Sequence, residues 1–75
     1  MFDYSKLKGR ITEKFGSQKN FAIACGYAEN TVSNKLSGKM KISTDDIVNW
    51  SKPELLDIPS VEIPEYFFKE KVQED

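Results

Sequence analysis

Histidine is absent from this 75-residue chain and Cys25 is its only cysteine. A histidine-assisted nucleophile, a disulfide within the chain, and zinc or haem sites built from these ligands therefore have nothing to be made from. The carboxylates gather at helix starts and in the tail, and no glycine-rich phosphate loop is present. Catalysis is not expected, nor is any cofactor or metal. Recognition chemistry remains. Asn30, Thr31, Ser33, Asn34 and Lys35 fall mainly on the outer side of a helical run whose inner side carries Val32 and Leu36. An amide offers a donor and an acceptor together, which suits an adenine edge, and ammonium groups suit phosphates.

Those residues need a scaffold, and the spacing supplies one. Leu7, Ile11 and Phe15 recur at i, i+4 and i+8, so the segment from Asp3 to Phe15 is expected to be a helix that Gly16 ends. Ser17 can cap a second helix, SQKNFAIAC, which turns Phe21, Ala22 and Cys25 inward and closes at Gly26. Cys25 reads as a core thiol. AENTVSNKLSG forms the third helix, closed by Gly38. Ser43 or Thr44 caps a fourth, with Asp45 and Asp46 in its first turn and Ile47, Val48 and Trp50 as its apolar surface. Pro53 should stop it; Leu55, Leu56 and Ile58 can form a further short helix before Pro59 and Pro64. The expected fold is all-α: one small domain of four to five helices, with a short extended segment allowed in the tail over residues 63–75.

Net charge is -1, but it is unevenly placed. Residues 1–41 carry eight cationic against three acidic side chains, +5; residues 42–75 carry three against nine, -6. The first part is expected to face a polyanion and the second to face away. No segment approaches the length of a membrane span and the N-terminus lacks a secretory pattern, so a cytoplasmic protein is expected.

A small residue at Ala22, a turn glycine at Gly26 and an inward Val32 have the spacing of a helix-turn-helix over residues 17–38. SQKNFAIACGYAENTVSNKLSGK resembles this motif in phage Cro-type and repressor-type transcription regulators. The flanks MFDYSKLKGRI and IPEYFFKEKVQ resemble the small Cro-like regulators of phages and prophages of Gram-positive bacteria. That resemblance implies a lambda-repressor-like helical domain that binds double-stranded operator DNA as a homodimer. It places base-edge contacts on Gln18, Glu29, Asn30, Ser33 and Asn34, and phosphate contacts on Lys19, Thr31, Lys35, Ser37, Lys39 and Lys41. Two positions depart from the motif. Ala28 stands where Ser or Thr caps the recognition helix, and Lys35 stands where relatives carry an aliphatic residue, leaving Leu36 as the inward partner of Val32.

Tyr66, Phe67 and Phe68 are too apolar for an idle tail. They close the monomer's core, form a dimer interface together with Trp50, or bind another protein, and Phe2 and Tyr4 are expected beside them. The competing function is a protein-interaction module on a helix-turn-helix scaffold, an antirepressor or a binder of a host factor.

Overall fold

The computed structural model describes residues 2–70. Five α-helices follow one another: α1 (Ser5–Phe15), α2 (Gln18–Cys25), α3 (Glu29–Leu36), α4 (Thr44–Trp50) and α5 (Ile63–Phe67), with a 3-10 turn at Ser60–Glu62 leading into α5. Among the described residues the only β-type pairing is an isolated antiparallel bridge between Phe2 and Glu70. The short extended segment expected in the tail is reduced to that bridge. Residues 66 and 67 are helical instead, and residues 71–75 of the tail lie outside the described residues. No helix among the described residues is long and apolar enough to cross a membrane.

Glycine and serine set the boundaries. Gly16 (φ 82°) and Gly26 (φ 78°) end α1 and α2 in left-handed conformations that a Cβ disfavours. Ser17 accepts the Asn20 N–H at 3.1 Å to cap α2. Ser43 and Asp46 form a reciprocal capping box on α4: the Asp46 N–H donates to Ser43 Oγ and the Ser43 N–H to Asp46 Oδ2, both at 3.1 Å. At Ala28 no side chain caps α3, as its sequence implies.

The core runs from Leu7 and Ile11 of α1 through Phe21 and Ala22 of α2 and Val32 and Leu36 of α3 to Trp50, Leu56 and Phe67. Phe21, Trp50 and Phe67 pack in sequence, with ring centroids 5.1 and 6.4 Å apart, so one aromatic row joins α2, α4 and α5. Trp50 is fully buried, and Tyr66 and Phe67 are nearly so. Within the chain these three close the core, the first of the roles open to them. Phe68 alone of the four remains half exposed; its ring meets Phe2 edge-on at 5.7 Å. Phe2 does lie beside the tail, and the Asp3 N–H donates to the Lys69 carbonyl at 2.7 Å.

Three finer expectations fail. Leu55, Leu56 and Ile58 make no helix: the chain folds into turns, Asp57 takes a φ of 52°, and Arg10 fixes this loop by donating to the carbonyls of Leu56 (2.8 Å) and Asp57 (3.0 Å). Val48 points outward, because Ile47 and Trp50 already supply the inner face of this two-turn helix. Cys25 is half-buried rather than central. Burial, with Asp46 adding to it, raises its thiol to about 11, so it stays protonated.

Candidate functional site

α2 and α3, joined by the Gly26 turn, form the helix-turn-helix, with Ala22 and Val32 buried between them as the motif requires. The Tyr27 N–H donates to the Ala22 carbonyl at 2.9 Å, which draws the turn against α2. On α2 and α3 Lys19, Glu29, Asn30 and Ser33 are exposed, as are Ser37, Lys39 and Lys41 just after α3, while Gln18, Thr31 and Asn34 are partly covered. Of the polar residues singled out from the sequence, one alone is withdrawn from the surface.

The exception is Lys35. Expected on the outer side as a phosphate contact, it is 8% exposed. Its Nζ donates to Asp46 Oδ2 at 2.7 Å and to the Lys41 carbonyl at 3.1 Å. Asp46, itself 3% exposed, also accepts the Tyr27 hydroxyl on Oδ1. The physical reason is positional. A lysine at the inward, usually aliphatic place of the motif has a long stem to lay in the core, and its ammonium then needs a counter-charge. Asp46 at the start of α4 supplies it.

The electrostatics follow this geometry. Burial of Asp46 pushes its pKa up, but the hydrogen bonds from Lys35, Tyr27 and Ser43 outweigh it and bring the carboxyl down to about 2. The same contact, with burial adding to it, raises the Tyr27 hydroxyl to about 12. Asp46 therefore stays ionised and Tyr27 stays a donor through the neutral range. The trio fixes the end of α3, the α2–α3 turn and the start of α4 to one another.

Tyr27 and Asp46 were not among the residues expected at the site. One signal points to Asp46: the polar residue at an inward motif position asks for an acidic partner, and Asp46 stands three residues after a capping serine. With Lys35 withdrawn, α3 exposes one charged side chain, the carboxylate of Glu29. The outer side of α2 and the turn adds apolar surface, with Ile23 68% and Tyr27 36% exposed. Among the described residues no group of histidine, cysteine or carboxylate side chains is arranged to hold a metal ion.

The two helices of the motif thus form a unit whose second helix is locked by a buried ion pair and whose surface is partly polar and partly apolar. The chain belongs to a family described as "Protein of unknown function (DUF739)", whose model matches residues 1–70. It is also similar to a solved structure, the modulator of repression (MOR) of the temperate bacteriophage TP901-1 from Lactococcus lactis. The two share 47% sequence identity, with 96% of this chain and 95% of the other covered and a TM-score of 0.79. No match was found among curated proteins. The likeness is thus to a phage regulatory protein, which is a coarser class than the Cro-like repressor expected from the sequence.

Proposed function

We propose that this protein is a phage or prophage regulator that modulates repression by binding a repressor protein through the exposed surface of α2 and α3. Binding, not catalysis, is its activity. The observation that carries this reading is the inward turn of Lys35. A helix destined for the major groove gains from cations that meet phosphates on either side, whereas α3 shows only the Glu29 carboxylate. Exposed Ile23 and Tyr27 on the same motif suit the apolar part of a protein interface. The likeness to a modulator of repression supports a repressor as the partner.

Direct reading of an operator by a homodimer is the second interpretation. It is favoured by exposed Lys19, Lys39 and Lys41 around the motif and by Asn30 and Asn34, whose amides suit adenine. Fluorescence anisotropy separates the two. A labelled operator duplex is titrated with a candidate phage repressor that binds it, with this protein alone, and with both. The expected result is no sequence-selective binding by this protein alone, and a change of about tenfold or more in the repressor's apparent affinity when both are present. Sequence-selective, steeply salt-dependent binding by this protein alone, with no effect on the repressor, would overturn the proposal in favour of operator reading.

A further inference from the structure

At the opposite end of α3 from Glu29, a groove opens against the N-terminal segment. It has two adjoining compartments of about 210 and 200 Å³ that share Phe2, Tyr4 and Leu36. Leu36 is nearly covered and forms the floor, while Phe2 and Met40, 40% and 43% exposed, form apolar walls. Phe68 extends this apolar strip through its edge contact with Phe2. Lys8 lines one compartment and Lys41 the other. Neither ammonium takes part in the ion pairs of the described residues, which join Lys6 to Glu65, Arg10 to Glu13 and Lys35 to Asp46. Asp3, which accepts the Ser5 N–H at 2.8 Å, also lines the groove and keeps its charge, so the lining carries two ammonium groups against one carboxylate.

We infer that this groove is a second docking surface, which takes an acidic, apolar peptide segment of the partner protein. An aromatic or large aliphatic side chain seats between Phe2 and Met40, and carboxylates on either side of it meet Lys8 and Lys41. Charge complementarity selects this occupant: with two ammonium groups against one carboxylate the lining is net positive, which attracts an acidic segment and repels a basic one. The inference deepens the proposed function, on which it rests, by adding a second point of attachment to the same partner. The two ends of α3 lie on the order of 10 Å apart, at 1.5 Å per residue. A partner held at one end therefore presents its next segment to the other at high effective concentration.

The test uses isotope-labelled protein and nuclear magnetic resonance. It is titrated with the blocked hexapeptide Glu-Glu-Phe-Leu-Glu-Glu and, separately, with its Lys-Lys-Phe-Leu-Lys-Lys counterpart. The expected result is that the acidic peptide shifts the amides of Tyr4, Leu36, Ser37 and Met40, that Lys8→Glu/Lys41→Glu weakens this about tenfold or more, and that the variant prefers the basic peptide. Equal shifts from both peptides, or none from the acidic one, would overturn the inference. So would groove shifts that grow with protein concentration before any peptide is added, because they assign the groove to a second copy of this chain. The repressor titration is read beside it. A repressor complex without any response to the acidic peptide sinks this inference alone, and a peptide response without a repressor complex sinks the proposed function and the assignment of the segment to that partner, while the groove's preference for an acidic segment stands.

Discussion

Two of the junctions between helices use opposite physics. Between α3 and α4 the link is ionic and interior: Lys35 and Asp46 are both buried, and Tyr27 and Ser43 complete the carboxylate's hydrogen bonds. Between α1 and α5 the link is apolar. Leu7 and Ile11 are buried with Tyr66 and Phe67, and the Lys6–Glu65 ion pair sits in solvent with both side chains open to it. A buried pair is costly to desolvate and gives little net stability over an apolar substitute, yet removing one partner strands a charge. A surface pair is cheap to make and cheap to lose. The α3–α4 junction is thus specified by geometry, and the α1–α5 junction by burial of area.

The largest effect that can break this contrast is Asp46→Ala. It leaves the Lys35 ammonium without its counter-charge and removes half of the α4 capping box. A destabilisation of about 3–5 kcal/mol is expected in chemical denaturation. The double variant Lys35→Met/Asp46→Asn should recover most of it, since no stranded charge remains. A single-variant cost below about 1 kcal/mol would place Asp46 with the surface pairs.

Acid unfolding sharpens the same point. The Asp46 carboxyl titrates at about 2 in the folded protein against an ordinary 3.8. A depressed folded value means that its stabilisation is complete above the unfolded pKa and is lost as pH falls through the folded one. About 2 kcal/mol should therefore disappear between roughly pH 5 and pH 2, and this component should be absent from the Asp46→Asn variant. Circular dichroism across that range gives the slope. An unchanged slope in the variant would assign the acid sensitivity to other carboxylates.

The smallest effect belongs to Lys6→Ala. The midpoint of unfolding should barely move, and any difference from the parent should vanish at high salt, where exposed charges are screened. A salt-independent loss would instead make the α1–α5 junction resemble the other one.

Much of the architecture could be read from single residues. Gly16 and Gly26 need left-handed backbone, Ser17 and Ser43 accept free helix N–H groups, and Ala22 and Val32 must meet; each is local or falls within one motif. What escaped was decided over longer distances. The inward turn of Lys35 depends on Asp46, eleven residues away on another helix, and the side of α4 that Val48 occupies depends on Trp50 filling the centre. Leu55, Leu56 and Ile58 have helical spacing, but Arg10 in α1 binds their loop as turns. For the candidate site, the polar residues of α3 were legible because an amphipathic helix divides its faces by period. The choice between a nucleic acid and a protein as partner was not, since it hinges on whether one ammonium faces out or in.

The contact of the segment before α1 with the segment after α5 has a kinetic consequence. The Asp3–Lys69 hydrogen bond and the Phe2–Glu70 bridge close a loop that spans nearly the whole chain, whereas α1, α2 and α3 meet across short turns. The entropy of so long a closure is lost only once the helices have condensed, so the ends join late in folding and fray early in hydrogen exchange. Phe2 is a wall of the groove, which therefore exists only while the ends are joined. An occupant of that groove would bind the closed population alone, and its measured affinity would fall in proportion to the fraction of molecules whose ends have come apart.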